Sequence, residues 1–165
     1  MRADSDRATR PGGLSREMSM MTHEDQIALN TLAFLAKTGG QLDAFRAQLK
    51  HTYQLHAASF VECRYYGDVL YICLCLEAAL PEDQTLTWWL DITPRDHQWL
   101  IEASALWNGR DAVVQLPARV VPGFREVEDV VPEILEHLLQ AGVAVLTKVM
   151  NRAVAADQFA TRKLA

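Results

Sequence analysis

Between Phe60 and Ile92, two alternating apolar segments flank Gly67-Asp68, and that dipeptide governs how the chain is laid out. A two-residue hairpin loop at this point pairs Tyr66 with Val69. The pairing sets Val61, Cys63 and Tyr65 beside Leu70, Ile72 and Leu74, a face that reads as core. Strand side chains alternate with period two, so Glu62, Arg64 and Tyr66 share the reverse face with Tyr71, Cys73 and Cys75. The reverse face mixes rings, thiols and charges. A function carried by the sheet has to lie there.

A turn cluster, Leu80-Pro81-Glu82-Asp83, leads into a third strand. Leu86, Trp88, Leu90 and Ile92 point inward from it, while Thr87, Trp89 and Asp91 point outward. Adjacent tryptophans on a strand take opposite faces, so a core Trp88 makes Trp89 emerge beside Tyr66, Tyr71 and the cysteines. Something must cover Trp89, and the chain's own helices are a simpler cover than a partner's chain.

Residues 94–108 admit two readings. As a helix, Thr93 caps, Pro94 takes the first position, Asp96 lies in the first turn, and Trp99, Leu100, Ala103, Leu106 and Trp107 share a face that ends at Asn108-Gly109. As a strand, Trp99, Ile101, Ala103, Ala105 and Trp107 alternate after a Pro94-Arg95-Asp96 turn. The alanines and the capping residues favour the helix. Ala112 to Val121 is a further strand on either reading, and Pro117 places it at an edge.

Helical signals flank this sheet. Thr22, Glu24 and Asp25 open a first helix, with Ile27, Ala28, Leu32, Leu35 and Ala36 at helical spacing and Lys37, Gly39 and Gly40 as a stop. A second helix follows from about Leu42, with Leu42, Phe45, Leu49 and Tyr53 along one stripe. Near the C-terminus, Glu126, Glu128 and Asp129 mark a helix start, and Pro132 is tolerated only in a first turn. The stripe Ile134, Leu135, Leu138, Leu139, Gly142, Leu146, Val149 and Met150 keeps helical period through Gly142, which therefore belongs to the buried face. The rival reading ends the helix at Gly142 and makes Val143 to Val149 a strand.

The ends are of another character. Residues 1–19 are rich in Arg, Asp, Ser and Gly with almost no large apolar side chains, and 1–21 are expected to form a disordered tail, with Met18, Met20 and Met21 as alternative starts. Residues 22–156 form a single domain, and 157–165 are expected to fray. A chain of 165 residues buries roughly two thirds of its unfolded surface and folds without metal or disulfide.

A net charge of -5 with no cluster of Lys and Arg argues against nucleic-acid binding. Cys63, Cys73 and Cys75 include no C-x-x-C pair and read as reduced thiols of a bacterial-type cytoplasm. The longest apolar run, Val69 to Leu76, is far shorter than the roughly 20 residues of a membrane-spanning helix. No membrane contact is expected.

No catalytic constellation emerges. His23, His51, His56, His97 and His137 stand apart with no zinc-ligand spacing, so neither a metal nor another cofactor is expected. A reactive thiol at Cys73 or Cys75 would require a neighbouring positive charge such as Arg64, and small buried cysteines are commoner. Glu62, Arg64 and Asp91 read as cross-strand ion pairs. Phosphate-cradling glycine loops and nucleophile elbows are absent.

The fold class is α+β: an antiparallel meander of four to five strands packed against N-terminal and C-terminal helices. The element order helix, three strands, helix, strand, helix is similar to that of small acidic secretion chaperones. The expected function is a non-enzymatic protein-binding module, chaperone-like or immunity-like, holding a partner polypeptide through Glu62, Arg64, Tyr66, Tyr71, Trp89 and Asp91. The alternative is a small-molecule binder or enzyme with a pocket between the sheet and the C-terminal helix, using Glu62, Arg64, Tyr66 and Asp91. A homodimer with the Gly142 stripe as its seam is a third expectation.

Overall fold

The computed structural model describes residues 23–66 and 69–163. The expected tail at 1–21, the alternative starts within it, the Thr22 cap and the Gly67-Asp68 turn lie outside the described residues. The elements run α1 (His23–Tyr53), β1 (Ala57–Tyr66), β2 (Val69–Leu80), β3 (Gln84–Arg95), β4 (Gln98–Trp107), β5 (Asp111–Gln115), β6 (Arg119–Val121) and α2 (Phe124–Lys163). This is the α+β architecture expected, with an antiparallel meander from β1 to β5 and β6 added beside β4.

The first hairpin has the expected register. Tyr66 pairs with Val69, Val61 with Leu74 and Cys63 with Ile72. Both helices pack on the same side of the sheet. Leu42, Phe45 and Leu49 of α1 and Val127, Val131, Leu135, Leu138 and Leu146 of α2 close over Ile72, Leu74, Leu76, Leu86, Trp88, Leu90, Ile92, Ile101, Ala103 and Ala105. The helices run side by side in the same direction. Phe34 meets Phe124 edge-on at 5.7 Å, and further along the Tyr53 hydroxyl is hydrogen-bonded to that of Thr147 at 3.0 Å.

Several expectations fail. Residues 94–108 are not a helix. Pro94 pairs with Trp99 inside β3, Arg95 closes the strand opposite Gln98, and Asp96 and His97 turn the chain with φ of 49° and 64°. A tight antiparallel hairpin needs positive φ of that kind, and it leaves Ile101, Ala103 and Ala105 alternately buried. The helix, three strands, helix, strand, helix order therefore does not hold, and with it goes the likeness in element order to secretion chaperones.

The two N-terminal helices are one. Gly39 and Gly40 each cost about 1 kcal/mol in a helix interior, but the stripe that matters runs straight through them. Phe34, Thr38, Leu42, Phe45 and Leu49 are buried in sequence, and Thr38 donates its hydroxyl proton to the Phe34 carbonyl at 2.9 Å. Ending the helix at the glycines would strip that stripe from the core. The stripe proposed through Leu32 and Ala36 faces away instead, leaving Leu32 62% exposed.

The strand expected over 112–121 is split. β5 and β6 both pair with β4, Pro117 lies between them, and the register shifts between Ala105 and Leu106.

Helix α2 continues unbroken through Gly142, which is buried. Its backbone is helical to Lys163, across most of the segment expected to fray. Pro132 lies inside the helix and not in its first turn, because α2 begins earlier than expected, at Phe124. Over residues 124–151 α2 is long and apolar enough to cross a membrane by length and composition. Its apolar stripe packs against the sheet. Gly142 faces Trp88, so the stripe proposed as a dimer seam is occupied within the chain.

Candidate functional site

With both helices on one side, the other side of the sheet has no covering element among the described residues. Strand pairing lays its side chains out in rows. One row runs Phe60, Cys75, Trp89, Ser104; the next runs Glu62, Cys73, Asp91, Glu102; Arg64 then pairs with Tyr71. Five of the six residues expected to form a binding surface, Glu62, Arg64, Tyr71, Trp89 and Asp91, share this face. Tyr66 takes the position that continues it opposite Val69.

Trp88 and Trp89 divide as the alternation requires. Trp88 is 1% exposed in the core, whereas Trp89 stands half-buried on the open side. The expectation that the chain's helices cover Trp89 is overturned, since those helices pack on the Trp88 side. Phe60 takes part in the cover. Phe60 and Trp89 sit two strands apart, about 10 Å between backbones, yet their rings meet edge-on with centroids 6.2 Å apart. They lean together over Cys75, which is only 2% exposed despite facing away from the helices. Phe60 itself remains 44% exposed and Val120, further along the face, 59%.

The polar part of the face is organised around two carboxylates. Arg64 reaches Glu62 at 2.6 Å along the same strand, and that hydrogen bond holds the Glu62 carboxyl below the usual range. The pair is therefore intrastrand, not the cross-strand pair expected. The Tyr71 hydroxyl donates to the Asp91 carboxylate and accepts from the Trp89 indole. Burial first, then Asp91, pushes the Tyr71 phenol well above its ordinary value. One oxygen of Asp91 is buried with no hydrogen-bond partner among the described residues.

Two of the three thiols are held in their protonated form. Burial, then the charge of Asp91, raises Cys73, and burial, then the charge of Glu77, pushes Cys75 up to about 12. Both stay protonated at neutral pH and lack the electropositive surroundings that make a nucleophile. Cys63 was expected in the core and is exposed. Helix α1 touches β1 at Gly39 beside Val61 and at Asp43, which accepts from Ser59 at 2.9 Å. The thiol beyond Val61 is left uncovered.

The pocket expected between the sheet and the C-terminal helix has no counterpart at Glu62, Arg64 and Asp91, because α2 lies on the opposite side of the sheet. A different cleft, about 490 Å³, opens between α1 and α2, lined by Gln41, Phe45, Gln48, Glu136, Leu139 and Val143. The Gln41 side-chain carbonyl is buried there without a partner among the described residues. Nothing in the sequence pattern pointed to this cleft, since it requires the two helices to run side by side. Among the described residues, no group of three or more His, Cys, Asp or Glu side chains is placed to hold a metal ion.

No family model matches this chain, and neither the curated proteins nor the solved structures compared with it contain a match.

Proposed function

We propose that this chain is a non-enzymatic protein-binding module that holds a partner polypeptide on its open sheet face. The exposed Phe60 ring packed against Trp89 carries the reading. It is an aromatic anchor rimmed by the Glu62–Arg64 pair and by Tyr71 and Asp91, and interface hot spots have that composition. A net charge of -5 favours a basic partner. Three free cysteines suit a reducing compartment such as the cytoplasm.

The test is affinity purification from native cells of the wild-type chain and of Phe60→Ser. The wild type should bring down one polypeptide in stoichiometric amount. Phe60→Ser should lose it while keeping its circular dichroism spectrum. The same companions on both baits would refute the reading.

A second reading rests on the unpartnered Gln41 carbonyl in the cleft between α1 and α2, which suits a small molecule with a hydrogen-bond donor. It predicts a rise in melting temperature with some member of a metabolite library, lost in Gln41→Leu.

A further inference from the structure

The two edges of the sheet are built differently. The outer side of β4 is shared by β5 and β6, of 5 and 3 residues, with a register shift and Pro117 breaking the line. Interruptions of this kind blunt an edge against further pairing. The other edge, β1, runs 10 residues without proline, glycine, lysine or a shift in register.

The direction of its backbone groups follows from the ladder. His56 accepts from the Ala79 amide at 2.8 Å, so the even-numbered positions of β1 turn their amides and carbonyls toward β2. Ala57, Ser59, Val61, Cys63 and Tyr65 turn theirs outward. Among the described residues none of these outward groups has a backbone partner.

We propose that β1 is an interface between two copies of this chain, paired antiparallel about a two-fold axis at Cys63. Charge selects this register. An axis at Glu62 or at Arg64 would set like charges face to face. An axis at Cys63 sets Glu62 opposite the partner subunit's Arg64, and the symmetry makes that contact twice.

Space selects it as well. An axis at Phe60 or Val61 would drive the two α1 helices together, since α1 lies under Ser59 and Val61 through Asp43 and Gly39. At Cys63 the helix has left the strand, and the exposed thiol marks the gap. The interface joins two sheets into one and does not depend on what the open face holds.

Sedimentation equilibrium of the full chain tests it. The expected result is a species of twice 18.5 kDa that dissociates on dilution. Glu62→Arg alone or Arg64→Glu alone should weaken the dimer roughly tenfold or more, and the two changes together should restore it. A short bis-maleimide should cross-link the wild type and leave Cys63→Ser uncrosslinked. A monomer at every concentration up to the solubility limit would overturn the proposal, and so would a dimer indifferent to the charge changes and not cross-linked at Cys63.

Discussion

The indole nitrogen of Trp88 fills the space in which a side chain on Gly142 would begin. The strand beneath and the helix above therefore touch at a residue with no side chain, and α2 rests closer to the sheet than any other residue type would allow.

Gly142→Ala should destabilise the fold although it improves helix propensity. The gain is about 1 kcal/mol, while a methyl group against a fully buried indole costs more, for a net loss of roughly 2 kcal/mol. Urea denaturation measures it, and a midpoint equal to or above the wild type would contradict the contact.

Gly40→Ala should do the reverse. Gly40 is exposed on α1, and an added β-carbon meets nothing within 4 Å. The helix gains about 0.5–1 kcal/mol with no steric cost. The same denaturation experiment should move the midpoint upward, which two separate helices at this point would not give.

His97→Gly should also stabilise. His97 is exposed and held at a φ of 64°, a conformation costing non-glycine residues about 1 kcal/mol. Relieving it in the β3–β4 turn should recover most of that. A helical segment here would instead be weakened by the glycine, so the sign of the change separates the two conformations.

The thiols give a pH dependence of defined sign. Well below pH 9.0, the ordinary value of a thiol, Cys75 is protonated both folded and unfolded, and contributes no pH dependence. Above it the unfolded chain releases the proton and the folded chain retains it until about 12, so stability falls as pH rises through that window. Cys73 adds to the fall in the same direction. Melting temperatures from pH 8 upward should decline less steeply in Cys75→Ala. At neutral pH, a thiol reagent should label Cys63 in the native protein and reach Cys73 and Cys75 only on unfolding.

Much of this fold was legible because period two leaves little freedom once a hairpin is pinned. The register at Tyr66 and Val69, the division of Trp88 from Trp89 and the shared face of Glu62, Arg64, Tyr71 and Asp91 all followed from it. The segment after Thr93 was misread because its punctuation serves two structures. Pro94 suits the first turn of a helix as well as a strand end, and Asn108-Gly109, at φ of 50° and 66°, suits a helix stop as well as a hairpin. Gly39-Gly40 misled for the opposite reason, since local propensity there yields to a buried stripe that only the assembled core makes visible. Which side the helices would take was not written locally at all, so the cover of Trp89 and the cleft beside Gln41 could not be foreseen.

Placing both helices on one side separates two kinds of change that most domains must compromise between. Alternate letters of the same strands are answerable to different demands: one set keeps the molecule folded, while in the other, apart from the buried Cys73, Cys75 and Thr87, the letters are free to drift toward whatever they meet. A lineage descended from this chain can exchange those exposed letters and still inherit the same interior.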